Sequence, residues 1–554
     1  MEHQAAPARV QFETEPGRYR HWKLSFPQGF GGDVAEIALD VQEDGGLVPG
    51  YPLKLNSYDL GVDIELADAL TRIRFEHPAT RAIVITSAKP RIFSSGANIY
   101  MLASSTHAFK VNFCKFTNET RIYLEEMSSE SRMPSLAALN ATASGGGYEL
   151  ALACDEIVLV DDGSSVVSLP EAPSLGVLPG TGGLTRLSDK RRVRRDLADV
   201  FSTLAEGVRG KRAAEWRLID ESAEKSQFDK AVHRRVDAMK KRSPKTGKEK
   251  GIAWKPLKVE REAAGAHYTH LTLNVDVPRR LARITIEGPS DREPTTVEAI
   301  HAAGVDQWAL RAFRELDDAL LHLRFNYPTV GLLLMETKGD VDRVLALDRA
   351  LFAKKDDWLV REILLHMRRV LRRIDTSARS VFALAKEGSC FAGSLLEIAL
   401  AADRLYMLDG DPSPKLAVSP LNGGILPTFA GVSRLVARFW GEPERAKQLI
   451  ETMPVLTTPE AVKSGLVTFA PDDIDWDDEI RVVVEERTSY SPDAMTGMEQ
   501  NLRFPGPETM ETKIFGRLSA WQNWIFQRPN AVGAGGALTR YGKPERPEFD
   551  FGRT

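Results

Sequence analysis

Two carboxylates and two small-residue turns stand out as chemistry-bearing in this chain. Glu149 lies three residues after Gly146 in the run Gly145-Gly146-Gly147-Tyr148-Glu149, and Glu171 lies in a Pro- and Gly-rich stretch, SLPEAPSLGVLPGTGG. The glycine triplet opens into an apolar helical pattern, ELALAC, so the start of a helix with unpaired N–H groups and a favourable dipole falls on these glycines. Upstream, Ser94-Ser95-Gly96-Ala97-Asn98 follows the apolar strand pattern AIVITS, and a turn of this type leaves backbone N–H groups pointing outward. The two turns together could hold one negatively charged oxygen between two N–H donors, each worth about 3–4 kcal/mol in a transition state. Two glutamates with different surroundings could then divide the work of general acid and general base. Taken singly, a glycine triplet is more often just a tight turn, and an acid in the first turn of a helix is commonly there for the dipole.

The elements that must position these residues recur. Tyr19-Arg-His21 and Tyr268-Thr-His270 are 249 positions apart, Arg74-Phe75 and Arg324-Phe325 are 250 apart, and Glu149-Leu-Ala-Leu-Ala and Glu397-Ile-Ala-Leu-Ala are 248 apart. Leu178-Pro179 and Arg186-Leu187 match Leu426-Pro427 and Arg434-Leu435 at the same 248 offset. A near-constant shift over so many anchors means one fold used twice. Each copy alternates β-branched strand patterns with helical ones, which predicts an α/β layered fold. The predicted organisation is a first domain over 1–222, a basic linker over 223–266, a second domain over 267–470 and a helical C-terminal extension over 471–554. Six of the eleven residues from Lys240 to Lys250 are basic, read as a solvated linker, and KRRVRR at 190–195 is read as an exposed helix face.

Comparison of the copies raises the significance of the turns. Where the first has Gly146, Glu149 and Glu171, the second has Ser394, Glu397 and Ser419, and no Ser-Ser-Gly-Ala follows its VGLLLMET strand. The fold is duplicated and the site is kept once. The second copy is therefore expected to be structural.

Taken in order, IFSSGANI, ASGGGYELALACDEIVLVDD and LPEAPSLGVLPGTGGLTRL resemble the crotonase (enoyl-CoA hydratase/isomerase) superfamily. That resemblance implies a tandem pair of spiral ββα crotonase folds, an acyl-CoA thioester ligand, and an oxyanion hole for a thioester enolate. Carried over by motif position, the hole donors are the N–H groups of Ala97 and Gly146, with Ser95, Gly96, Asn98, Gly145 and Gly147 around the substrate. The two hydratase-type acids fall on Glu149 and Glu171, and having both suggests that water is activated and added. The superfamily commonly has an acid where this chain has Asn98. The length and tandem arrangement resemble a ring-cleaving lyase branch, which implies an epoxidised benzoyl-CoA as substrate and formate as one product. An aliphatic enoyl-CoA hydratase and a non-catalytic CoA-binding module are the alternatives. The same resemblance adds Cys114 as a third candidate proton donor, although a free cysteine is usually a small buried apolar residue.

Composition sets the remaining expectations. Of 554 residues, 73 are Lys or Arg and 77 are Asp or Glu, a net charge of −4 that gives no global field for nucleic acid or an anionic membrane. No apolar run approaches the roughly 18 residues needed to cross a bilayer, and no secretory signal is apparent. Cys114, Cys154 and Cys390 are too few for a disulfide framework and too far apart for a metal knuckle. The expectation is a cytoplasmic enzyme, acting as a homodimer, with coenzyme A only as part of its substrate, and without a metal, a separate cofactor, a nucleic-acid partner or a membrane partner.

Overall fold

The computed structural model describes residues 9–290 and 292–554, and the chain divides into two compact units. The first unit spans Phe12–Trp254; the second spans the described residues from Lys255 to Thr554 together with residues 9–11. Each is an α/β unit built on one sheet. In the first, six strands run in the order Trp22–Ser25, Val34–Leu39, Ala82–Ser87, Ser135–Leu139, Glu156–Asp161 and Glu221–Glu224. The first pair is antiparallel and the others are parallel. In the second, Glu260–Glu262, Gly265–His267 and Leu271–Asp276 form an antiparallel lead-in to Leu281–Glu287. Leu332–Lys338, Ser380–Ala385 and Arg404–Met407 then continue in parallel. Five strands correspond in order between the two sheets; the edge strand Glu221–Glu224 belongs to the first alone, and Glu260–Glu262 and Gly265–His267 to the second alone.

Local chemistry explains the long helices. Asp59 caps the Leu60–Phe75 helix by accepting from the Gly61 N–H at 2.9 Å and the Val62 N–H at 3.3 Å. The His107–Ser129 helix begins at Thr106, whose hydroxyl accepts the Phe109 N–H. In the second unit Asp357 caps Trp358–Asp375 in the same way.

Both units close their sheets with a helix that the sequence reading placed outside them. The strand Glu221–Glu224 and the helix Phe228–Arg242 fall in the stretch expected to be linker. Phe228, Ala231, Val232, Val236 and Met239 nevertheless pack on Val34, Val84 and Val158 in the core of the first unit. The helix Trp476–Ser489, expected to be extension, sets Trp476, Ile480 and Val484 on Leu332, Leu334 and Phe382. The basic charges misled because they line the solvent side of an amphipathic helix whose apolar side is core. The stretch after it is also held: the Ile252 N–H donates to the Phe75 carbonyl, and Trp254 stacks on the Phe75 ring at 4.8 Å. The KRRVRR run is no helix face. Residues 191–194 connect a helical turn, Arg186–Lys190, to the helix Arg195–Thr203, and Arg191 pairs with Asp220 at 2.8 Å. The extension does hold the expected helix, in consecutive helical segments from Met510 to Ile525.

Candidate active site

In the first unit the two small-residue turns are brought together by backbone pairing. Gly96–Ala97 lies parallel to Ser57–Tyr58, and Ala143–Ser144 lies parallel to Val167–Ser168. The Ser144 N–H donates to the Ser94 carbonyl at 2.9 Å and joins one pair to the other. Gly145 takes a φ of +53°, and the helix Gly146–Ala153 starts from it. An ideal Cβ on Gly96 would be 2.5 Å from the Gly146 nitrogen, so only a glycine lets the two turns approach this closely.

That approach sets two amides side by side. Gly146 occupies the first position of its helix, where no carbonyl one turn earlier is available to its N–H. Asn98 donates its N–H to the Tyr58 carbonyl at 2.9 Å, so alternation along the extended strand turns the Ala97 N–H the other way. The Ala97 nitrogen is 3.3 Å from the place a Gly146 Cβ would take. Two backbone donors at the positive end of a helix are what an oxyanion requires.

Glu149, one helical turn along, is 2% exposed. Its carboxylate accepts the Thr181 N–H at 2.9 Å, the Gly183 N–H at 2.8 Å and the Thr181 hydroxyl. All three donors come from one loop, and Arg186 fixes that loop. Arg186 donates to the Thr181 carbonyl at 2.8 Å and forks onto both oxygens of Glu125 at 2.9 Å each. Glu171 begins a helical turn after Pro170, and its Oε1 lies 2.6 Å from where a Cβ on Gly145 would stand. Its Oε2 is buried without a hydrogen-bond partner. Burial, with the Glu149 charge adding to it, raises the Glu171 pKa to about 7. The two acids therefore stand in unlike environments, one saturated with donors and the other desolvated.

Cys114 comes from the His107–Ser129 helix and is half-buried. Its Sγ lies 3.9 Å from the Cβ position of Gly180, on the same loop as Thr181. Burial, and then the charges of Glu149 and Asp63, raise its pKa to about 11. At neutral pH it is a thiol, able to donate a proton but not to act as a thiolate. Cys154 and Cys390 are fully buried.

The other candidates divide. Gly96 and Gly145 hold the strained and crowded positions just described. Gly147 is crowded by Ser94, whose carbonyl oxygen would be 2.5 Å from a Cβ there, so this glycine serves packing. The Asn98 side chain is engaged by the scaffold: it accepts the Met101 N–H and donates to the Pro52 carbonyl and the Ser57 hydroxyl. Its role is to cap the Ile99–Ser104 helix and clamp the turn. The Ser95 N–H donates to the Leu55 carbonyl. Thr181, Gly183 and Arg186 were not singled out from sequence, although the PGTGG run that contains most of them was in view.

The second unit has a different centre. The Ser394 N–H, counterpart of Gly146, donates to Asp348 at 2.7 Å, and the Ser419 hydroxyl, counterpart of Glu171, donates to the same oxygen at 2.8 Å. Glu397, counterpart of Glu149, is ion-paired with Arg434 at 3.2 Å.

The enoyl-CoA hydratase/isomerase family model matches residues 51–251. The chain is 53% identical over 546 residues, covering 98% of both chains, to a benzoyl-CoA-dihydrodiol lyase of Aromatoleum evansii. It is 34% identical over 189 residues to a fatty acid oxidation complex subunit alpha of Shewanella loihica, covering 34% of this chain and 24% of that one. Among solved structures, an enoyl-CoA hydratase from Thermoplasma volcanium is 27% identical, with a TM-score of 0.34, covering 41% of this chain and 81% of that one. With two α/β units, a paired-amide site in the first and a full-length relative that is a lyase, this chain is an enzyme that belongs to the enoyl-CoA hydratase/isomerase, or crotonase, superfamily.

Proposed function

We propose that the first unit cleaves the ring of 2,3-epoxy-2,3-dihydrobenzoyl-CoA with two molecules of water, giving 3,4-dehydroadipyl-CoA semialdehyde and formate, as a step in aerobic benzoate breakdown. The observation that carries this reading is the pair of unlike carboxylates beside paired amides, in a chain alignable end to end with a benzoyl-CoA-dihydrodiol lyase. The thioester oxygen lies between the Ala97 and Gly146 N–H groups, which hold the charge as electron density moves from the ring into an enolate. Glu149, an acceptor on both oxygens, takes the proton of the first water to attack. Glu171, whose proton persists to about pH 7, delivers one to the ring oxygen. Cys114 is a further donor at the edge of the same pocket.

Coenzyme A enters as part of the substrate, and no metal or separate cofactor takes part. Neither nucleic acid nor a membrane is a partner; among the described residues no helix is long and apolar enough to cross a membrane. The enzyme works in the cytoplasm as a homodimer. Exposed apolar side chains on the C-terminal segment, Met510, Phe515, Leu518 and Phe526, support assembly.

The test is a formate assay on purified protein given the epoxidised benzoyl-CoA, with crotonyl-CoA as the competing substrate. Formate from the first with little hydration of the second is the expected result. Hydration of crotonyl-CoA without formate would move the assignment to an aliphatic hydratase. Binding without turnover of either would leave a CoA-binding module.

A further inference from the structure

The site contains one buried hydroxyl that the mechanism above does not use. Tyr58 is 3% exposed, and its hydroxyl makes no hydrogen bond of good geometry, although the Arg121 guanidinium approaches it. The hydroxyl lies 2.0 Å from the place a Gly146 Cβ would take, with the phenol carbon Cζ 2.9 Å from that point and the Ala97 nitrogen 3.3 Å from it. The missing Cβ of Gly146 therefore makes room for the Tyr58 hydroxyl as well as for the close approach of the two turns. Tyr58 and Ala97 are partners across the Ser57–Tyr58 and Gly96–Ala97 strand pair, so the strand that aims one amide also carries the phenol.

The surroundings hold this hydroxyl in place and keep it protonated. The ring packs against Phe113 at 6.2 Å, and the Arg121 guanidinium is 5.6 Å from the ring centroid. Arg121 is itself paired with Asp63 at 3.0 Å, and the Thr117 hydroxyl donates to the same carboxylate. Burial drives the phenol pKa upward, with the Arg121 charge opposing it. A buried polar group without a partner is costly to a fold, and its persistence calls for a partner that comes and goes. The second unit lacks the phenol and the carboxylate of this arrangement. At the 250-residue offset that relates Arg74 to Arg324, Tyr58 corresponds to Trp308 and Asp63 to Phe313. The Trp308 indole N–H is bound to the Glu287 carbonyl at 2.9 Å.

We propose that the Tyr58 hydroxyl is a third donor of the oxyanion hole, bonding the thioester oxygen together with the Ala97 and Gly146 amides. This assignment rests on the hole described under the proposed function. Tyr58 acts by a hydrogen bond that strengthens as the oxygen gains charge, and no proton is transferred.

The experiment uses full-length protein and benzoyl-CoA carrying carbon-13 at the thioester carbonyl, a ligand without the epoxide. Difference infrared spectroscopy reads the carbonyl band of the bound ligand, and turnover is measured in parallel by formate release. In the parent the band falls below that of the free ligand. In Tyr58→Phe it returns part of the way, kcat falls on the order of 10²-fold, and KM stays within about twofold. An unchanged band and unchanged kcat in Tyr58→Phe would overturn the assignment and leave the two-amide hole intact. Absence of any band shift in the parent would remove the hole itself, and the Tyr58 assignment with it. Should Tyr58→Phe fail to fold, 3-fluorotyrosine at position 58, a stronger donor of nearly the same shape, is expected to push the band lower still; a band that does not move then counts against the proposal.

Discussion

The Ser394 N–H donates to the Asp348 carboxylate at 2.7 Å, at the position that Gly146 holds in the first unit. The second unit thus supplies its own carboxyl group. Asp348 comes from the helix Val341–Ala353, and a Cβ on Gly393 would collide with its Oδ2. Ser419 donates to the same oxygen, so one aspartate joins the counterparts of both Gly146 and Glu171. The acids differ correspondingly. Arg434 binds Glu397 and Asp375, whereas its counterpart Arg186 turns to Glu125 and leaves Glu149 to the loop amides.

Asp348 is fully buried, and burial raises its pKa to about 7. A carboxyl whose folded pKa is raised stabilises the fold fully below its unfolded pKa, near 4. That contribution is lost as pH rises through about 7. Asp348→Asn keeps an acceptor for Ser394 and cannot ionise. Thermal melts from pH 4 to 8 are expected to show a flatter stability profile in this variant than in the parent. Asp348→Ala strands two donors and is expected to cost about 1–3 kcal/mol for each.

Arg186 acts on Glu149 through Thr181. Lysine in its place keeps the charge but cannot fork onto Glu125 while also reaching the Thr181 carbonyl. Arg186→Lys is expected to lower kcat by roughly tenfold with a smaller change in KM, because the loop that presents three donors to Glu149 loosens. Glu149→Gln should give the larger loss, about 10² to 10⁴-fold, by removing the proposed base. Equal effects from the two variants would contradict a positioning role for Arg186.

Cys114 separates proton donation from packing. With its pKa raised to about 11, it should react slowly with iodoacetamide at pH 7.5. If the thiol donates a proton, Cys114→Ser keeps more turnover than Cys114→Ala. If it only fills space, alanine and serine behave alike, and rapid alkylation at pH 7.5 would contradict the buried setting.

The paired turns were legible because their signals are local. Glycines and small polar residues sit where a strand meets a helix, and the duplicated chain supplies an internal control at Ser394 and Ser419. The boundary of each unit was harder to see. Phe228–Arg242 carries Lys240, Lys241 and Arg242 in its last turn, and charge hid an apolar face formed by Phe228, Val232 and Val236. Thr181 and Arg186 act through a backbone amide and a carbonyl, and no residue pattern marks which loop amide will turn toward Glu149. Tyr58 lies 88 positions before Gly146, and only the pairing of Ser57–Tyr58 with Gly96–Ala97 brings them together.

The two glutamates are coupled, and their coupling is measurable as a pH profile. Glu171 must carry a proton to act as the acid, so kcat/KM is expected to fall as pH rises through about 7. Burial is the larger cause of that raised value and the Glu149 charge is a further one. Glu171→Gln should remove the alkaline limb along with most of the activity. Glu149→Gln, which deletes the neighbouring charge, should move the limb of its residual activity to lower pH, because Glu171 then ionises more readily. A limb that stays in place in Glu149→Gln would mean that the two carboxylates do not share a pocket, and a limb that survives in Glu171→Gln would assign the acid to another group, with Cys114 the next to test.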